Sequence, residues 1–100
     1  MMEDLLTHLE RWYARHCDGS WEHQYGIRIE TLDNPGWRLE IDLHGTPLLL
    51  HGYDELTVEH TSTDWLRCRV RDGKFEGFGG QSNLKDLLQA FLKWAEQEPS

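Results

Sequence analysis

The sequence predicts an α+β fold: an N-terminal helix, an antiparallel meander of about six strands and a C-terminal helix, with both helices on one sheet face. Three observations carry this. Apolar residues recur at three- and four-residue spacing near both ends of the chain. Between those stretches the pattern switches to alternation, broken by turn residues at short intervals. The strands come as one run rather than interleaved with helices, which is the order of an antiparallel sheet. With 100 residues, 38% hydrophobic and five Trp, residues 1–100 read as a single domain with one core.

The first helix is expected over residues 3–16. Leu5, Leu6, Leu9, Trp12, Tyr13 and His16 make its apolar stripe. Glu3 and Asp4 stand at its start and Arg11 and Arg15 near its end, as the helix dipole favours. Asp18-Gly19-Ser20 stops it.

Two strands then flank Asp33-Asn34-Pro35-Gly36. Matching their apolar faces sets Ile27 opposite Ile41, Ile29 opposite Leu39 and Thr31 opposite Trp37. The same register sets Glu30 against Arg38 and Arg28 against Glu40 on the other face, and both pairs are opposite in sign. Gly45-Thr46 suits a tight turn into a third strand over residues 47–52. A fourth strand is expected over 55–61, a fifth over 65–71 and, after the Asp72-Gly73 hairpin turn, a sixth over 74–79. Pairing Val58 with Cys68 and Leu56 with Val70 sets Glu59 against Arg67 and Glu55 against Arg71; the hairpin sets Glu76 against Arg69. The stripe Arg67, Arg69, Arg71 therefore reads as an ion-paired sheet face and not as a nucleic-acid surface.

Gly77, Gly79 and Gly80 fall on or beside the inward face of the last strand, where glycine marks the close approach of another backbone, here a helix. That helix begins after Gln81-Ser82-Asn83 and carries Leu84, Leu87, Leu88, Phe91, Leu92 and Ala95 on one stripe. Ser82 or Asn83 is expected to cap it, with Asp86 completing a capping box on Asn83.

The net charge is −8, unevenly spread. Residues 18–64 hold ten acids against the two bases Arg28 and Arg38. Such a surface repels nucleic acid and anionic membrane and favours a basic partner. No apolar run is long enough to cross a bilayer, and Met1-Met2-Glu3-Asp4 lacks the basic start of a signal peptide, so the expected location is the cytoplasm.

No catalytic motif emerges. The chain has no Gly-x-Ser-x-Gly elbow, no Cys-x-x-Cys and no zinc-ligand spacing among its six His and two Cys. Cys68 falls on an inward strand face and Cys17 at a helix C-terminus, where the dipole disfavours a thiolate. The Gly77-Phe78-Gly79-Gly80 run lacks the Lys-Ser/Thr of a phosphate loop. No cofactor, metal or catalytic residue is expected.

Several segments together resemble the immunity protein 53 family of bacterial polymorphic toxin systems. They are Trp21-Glu22-His23 with Tyr25-Gly26-Ile27, the run Glu30-Thr31-Leu32-Asp33-Asn34-Pro35-Gly36-Trp37, Ile41-Asp42-Leu43 with Gly45-Thr46, and Asp64-Trp65. Phe75-Glu76-Gly77-Phe78-Gly79-Gly80 and Phe91-Leu92-Lys93-Trp94-Ala95 complete the set. The likeness runs from Leu9 to Glu96, and Asn34-Pro35-Gly36-Trp37 is its most specific part. It implies a protein that binds and neutralises a cognate toxin encoded by the neighbouring gene, and that is not an enzyme. Charge adds an expectation of its own: acidic loops that occlude a basic cleft, such as that of a nuclease. The expected contact residues are Glu22, Asp33, Asp42, Asp54 and Asp64, with Trp21 and Trp65 either core residues or anchors. The protein itself is expected to be a monomer or homodimer. A small thiol-dependent enzyme and a homo-oligomeric module pairing through a sheet edge are the alternatives.

Overall fold

The computed structural model describes residues 4–97. Its elements are α1 (Leu5–His16), α2 (Trp21–Gln24), β1 (Ile27–Leu32), β2 (Gly36–Asp42), a 3-10 helix (Pro47–Leu50), β3 (Leu56–Glu59), β4 (Trp65–Arg71), β5 (Lys74–Gly79) and α3 (Leu84–Ala95). The α+β class stands. The strands number five, and their order in the sheet is β1-β2-β5-β4-β3, antiparallel throughout.

Two expectations need correction. The segment expected as a third strand is the 3-10 helix. Thr46 caps it by accepting from the Leu48 N–H at 3.2 Å, and Pro47 sits at its start with no N–H to offer a sheet ladder. The chain therefore leaves β2, crosses to the far edge, and returns as β3, β4 and β5, so that β5 docks beside β2. Sequential neighbours do not remain spatial neighbours at that one seam.

The second correction is the β3–β4 register. Leu56 lies opposite Cys68 and Val58 opposite Leu66, two residues from the expected pairing. A slip of two keeps every side chain on its face, so the apolar alternation could not detect it. The Thr61–Asp64 turn sets the register: His60 and Thr61 N–H both donate to the Asp64 carbonyl at 3.0 Å, and Thr61 Oγ1 accepts from the Thr63 and Asp64 N–H. Arg67 consequently faces Thr57 and reaches diagonally to Glu59 at 3.7 Å. Arg71 pairs with Asp72 at 3.8 Å in place of Glu55.

The registers of the β1–β2 and β4–β5 hairpins agree with the sequence reading. The β1–β2 pairs are those expected, including Glu30 opposite Arg38 and Arg28 opposite Glu40. The β4–β5 hairpin turns on Asp72 and Gly73, both at positive φ, and sets Arg69 opposite Glu76.

The core lies between the sheet and the two long helices. Leu39, Ile41, Cys68 and Phe75 project from the sheet and are fully buried, as are Leu87 and Phe91 of α3. Trp12 of α1 meets Phe91 edge to face at 5.0 Å, which fastens α1 to α3. The glycines of β5 do what their placement required. A Cβ at Gly77 would lie 2.9 Å from a Leu87 methyl, and one at Gly79 would lie 3.0 Å from the Asn83 Cβ. The glycines thus let α3 lie directly across β5.

At its N-terminus α1 is capped by Asp4, whose carboxylate accepts from the Thr7 N–H at 2.8 Å; Glu3 lies outside the described residues. Of the expected stripe, Leu9 and Trp12 are buried while Leu6 and Tyr13 remain exposed.

Candidate functional site

The five acidic residues singled out from the sequence fall at opposite ends of the sheet. Asp33 and Asp64 share one end. The hairpin turn after β1 presents Asp33, which is exposed and makes no side-chain hydrogen bond or ion pair among the described residues. This turn packs so closely on β5 that a Cβ at Gly36 would collide with the Gly79 carbonyl oxygen. On the other side of the same glycine run, a Cβ at Gly80 would collide with the Thr63 carbonyl oxygen. The two turns therefore flank Gly79 and Gly80 and expose their acids along one end.

Asn83 is the hub of that end. It stands at the N-cap position of α3, but its side chain makes no capping bond. It is 4% exposed, and its amide is fully used elsewhere. Nδ2 donates to Asp64 Oδ1 at 3.0 Å and to Asp86 Oδ2 at 2.9 Å, while Oδ1 accepts from the Trp65 N–H at 3.2 Å. The expected capping box is replaced by a clamp that ties α3 to the start of β4. One neutral amide thus holds two carboxylates in place without cancelling their charge. Trp65 is half-buried at the border of this end. Nearby, Trp37 Nε1 donates to the Gln81 carbonyl at 2.9 Å.

Glu22, Asp42 and Asp54 lie at the opposite end. Glu22 accepts from the Gly19 and Asp18 N–H at 2.8 and 3.0 Å, and Asp18 in turn accepts from the Ser20 and Trp21 N–H at 2.9 Å. This reciprocal arrangement builds the helical turn α2, which sequence reading passed over. Bonds from backbone N–H, chiefly that of Trp21 for Asp18 and its own for Glu22, hold both carboxyls below the usual carboxylate range. Asp42 accepts from the Gly26 N–H at 2.9 Å. Asp54 is exposed and makes no side-chain bond among the described residues. Trp21 is a core residue, 5% exposed, whose Nε1 donates to the His44 carbonyl at 2.7 Å.

The sheet face away from the helices is a charge lattice. Glu40 and Glu76 stand directly opposite one another, a like-charge pairing that is costly alone. Arg38 bridges both; Lys74 meets Glu40 at 3.4 Å and Arg69 meets Glu76 at 2.8 Å. Phe78 lies between the guanidinium groups of Arg38 and Arg69, with ring-centroid distances of 6.0 and 5.7 Å. Within this cluster each acid meets a base; Arg28 at the β1 edge stands outside it.

The thiols are poorly placed for chemistry. Cys68 is fully buried, and desolvation pushes its thiol up to about 11, with Tyr53 pulling weakly the other way. Cys17 donates to the Tyr13 carbonyl at 3.3 Å. Among the described residues no three His, Cys, Asp or Glu side chains come together as a metal cluster would require. None of the described helices is long and apolar enough to cross a membrane.

Fold and surface together define an α+β module with exposed acidic turns at both ends of an antiparallel sheet. The family model described as Immunity protein 53 matches residues 6–96, and the chain belongs to that family. Membership makes it an immunity protein, a class that acts against a toxin. No curated protein and no solved structure matches the chain.

Proposed function

We propose that this immunity protein binds its cognate toxin in the cytoplasm and blocks it by occlusion, with the Asp33–Asp64 end as the contact surface. The family match across residues 6–96 carries the toxin-directed reading. The clamp at Asn83 supports the choice of surface, because it fixes Asp64 and Asp86 at the same end of the sheet as the exposed Asp33 turn before any partner arrives. Preorganised carboxylates attract cations without an ordering cost, and their field speeds encounter. Trp65, half-buried at the border, serves as the aromatic anchor.

In this reading Glu22 and Asp42 act mainly by holding loops, Trp21 is scaffold, and Asp54 contributes to the overall field. The complementary toxin surface is a basic cleft. A nuclease fits that description, since its cleft must bind phosphates.

Co-purification with the toxin encoded by the neighbouring gene tests the proposal. The expected result is a stable complex at micromolar concentration and loss of toxin activity on adding the immunity protein. Absence of a complex at that concentration removes the proposal. A toxin that forms the complex but degrades neither DNA nor RNA removes only the nuclease part.

A further inference from the structure

We propose that two copies of this chain pair edge to edge through β1, in antiparallel register about Ile29, so that their two sheets become one continuous sheet. The paired stretch, residues 27–31, ends two residues before Asp33 of the proposed toxin contact.

The backbone of β1 is free on its outer side. The Asp42 N–H donates to the Gly26 carbonyl, so Gly26 turns its backbone groups toward β2. By the alternation of an antiparallel ladder, Arg28 and Glu30 do the same, while Ile27, Ile29 and Thr31 point their N–H and C=O groups outward. Those outward groups have no backbone partner among the described residues. An open edge of this kind is ordinarily blunted by proline, a bulge or charged side chains. β1 has no proline and no bulge, its two charges Arg28 and Glu30 are opposite in sign, and its central Ile29 is 42% exposed.

Its side chains select a partner and a register. In a symmetric antiparallel pair, opposed residues must share a face, so the two-fold axis can fall only on a residue. Centred on Arg28, the pair sets Arg28 against the partner's Arg28. Centred on Glu30, it sets Glu30 against the partner's Glu30. Centred on Ile29, it sets Arg28 against the partner's Glu30 and Glu30 against the partner's Arg28, with Ile27 against the partner's Thr31 on the helix side. Arg28 is available for this role. Its in-sheet neighbour Glu40 is already engaged by Arg38 and Lys74, and Arg28 makes no ion pair among the described residues. The outward groups of Ile27, Ile29 and Thr31 meet their own kind in this register, which completes the ladder.

The other edge does not offer this. β3 has four residues, and of the acids Asp54, Glu55 and Glu59 around it only Glu59 meets a base, Arg67 of β4 at 3.7 Å, so a second copy meets mainly like charge there.

The test uses the full chain and two charge reversals, Arg28→Glu and Glu30→Arg. Sedimentation at about 100 μM should show the wild type at twice the chain mass of 11.8 kDa. Each variant, checked for folding by circular dichroism, should dissociate at least about tenfold more readily, since two attractive pairs become repulsive. An equimolar mixture of the two variants should recover a two-chain species holding one of each. In that species the carboxylate introduced by Arg28→Glu meets the guanidinium introduced by Glu30→Arg, and the unaltered Glu30 of one chain meets the unaltered Arg28 of the other. Should the variants not fold, hydrogen exchange on the wild type decides: the amides of Ile27, Ile29 and Thr31 should gain protection as concentration rises. A monomeric wild type, variants that associate like the wild type, folded variants that do not recombine, or edge amides unprotected at every concentration would each overturn the proposal.

Discussion

The Asn83 amide and the Asp64 carboxylate meet at 3.0 Å and join the first turn of α3 to the β3–β4 turn. Removing the amide leaves the Trp65 N–H without its acceptor and leaves two carboxylates without the donor that held them. Asn83→Ala should therefore destabilise the fold by about 1–3 kcal/mol in urea unfolding. Asn83→Asp should do so at neutral pH and recover part of the loss on acidification, since it adds a third carboxylate beside Asp64 and Asp86. A neutral effect of both substitutions would mean that the clamp contributes little.

Two glycine substitutions contrast a crowded position with an open one. Gly80→Ala drives a Cβ into the Thr63 carbonyl oxygen, a backbone atom that can yield only by moving the turn. The expected cost is about 1–3 kcal/mol. At Gly26 a Cβ would meet nothing within 4 Å, so Gly26→Ala should stay within about 0.5 kcal/mol of the wild type. Thermal unfolding of the two variants side by side checks the contrast.

Much of this architecture is legible in the sequence where two independent signals agree. The β1–β2 register follows from apolar faces and from charge pairs together, and Asp72-Gly73 locates the β4–β5 turn unaided. The glycines of β5 announced the crossing helix. Legibility fails where a side chain rewires the backbone locally. Thr46 and Thr61 replace strand geometry with turn geometry, and Asp18 with Glu22 builds α2. Asn83 read as an ordinary cap, because the use of its amide depends on Asp64, which is distant in sequence and is brought close only by the fold. The seam between β2 and β5 joins segments far apart in sequence and leaves no local trace. The division of the acidic turns between the two sheet ends follows from that seam and from the β3–β4 turn.

Arg38 is the cation that bridges Glu40 and Glu76 where they face each other. Arg38→Met should cost about 1–3 kcal/mol, a value reduced from that of a fully buried pair because the guanidinium is partly exposed. The cost should shrink on a Glu76→Gln background, where the like-charge opposition is gone. Equal costs on both backgrounds would show that Arg38 does not act by relieving the Glu40–Glu76 opposition.

Burial of Cys68 has a pH consequence with a definite sign. Its thiol is held near 11 in the fold against an ordinary value of 9.0. Between those values the unfolded chain has lost the proton that the folded chain retains, so this group favours unfolding there. Its stabilising contribution is complete below about pH 9 and falls as pH rises toward 11. Cys68→Ala should flatten stability across that window. In thiol labelling of the native protein Cys17 should react first, and Cys68 only upon opening.

The most direct test of the account is the affinity of the neighbouring-gene toxin for variants at each end of the sheet. Asp33→Lys combined with Asp64→Asn reduces the negative charge of the proposed contact while keeping an acceptor for Asn83; Asp54→Lys changes the opposite end. The account predicts that the double variant loses about tenfold or more in affinity, chiefly through slower association at low salt, while Asp54→Lys binds within about threefold of the wild type. A double variant that binds like the wild type, alongside an Asp54→Lys variant that does not, would contradict it.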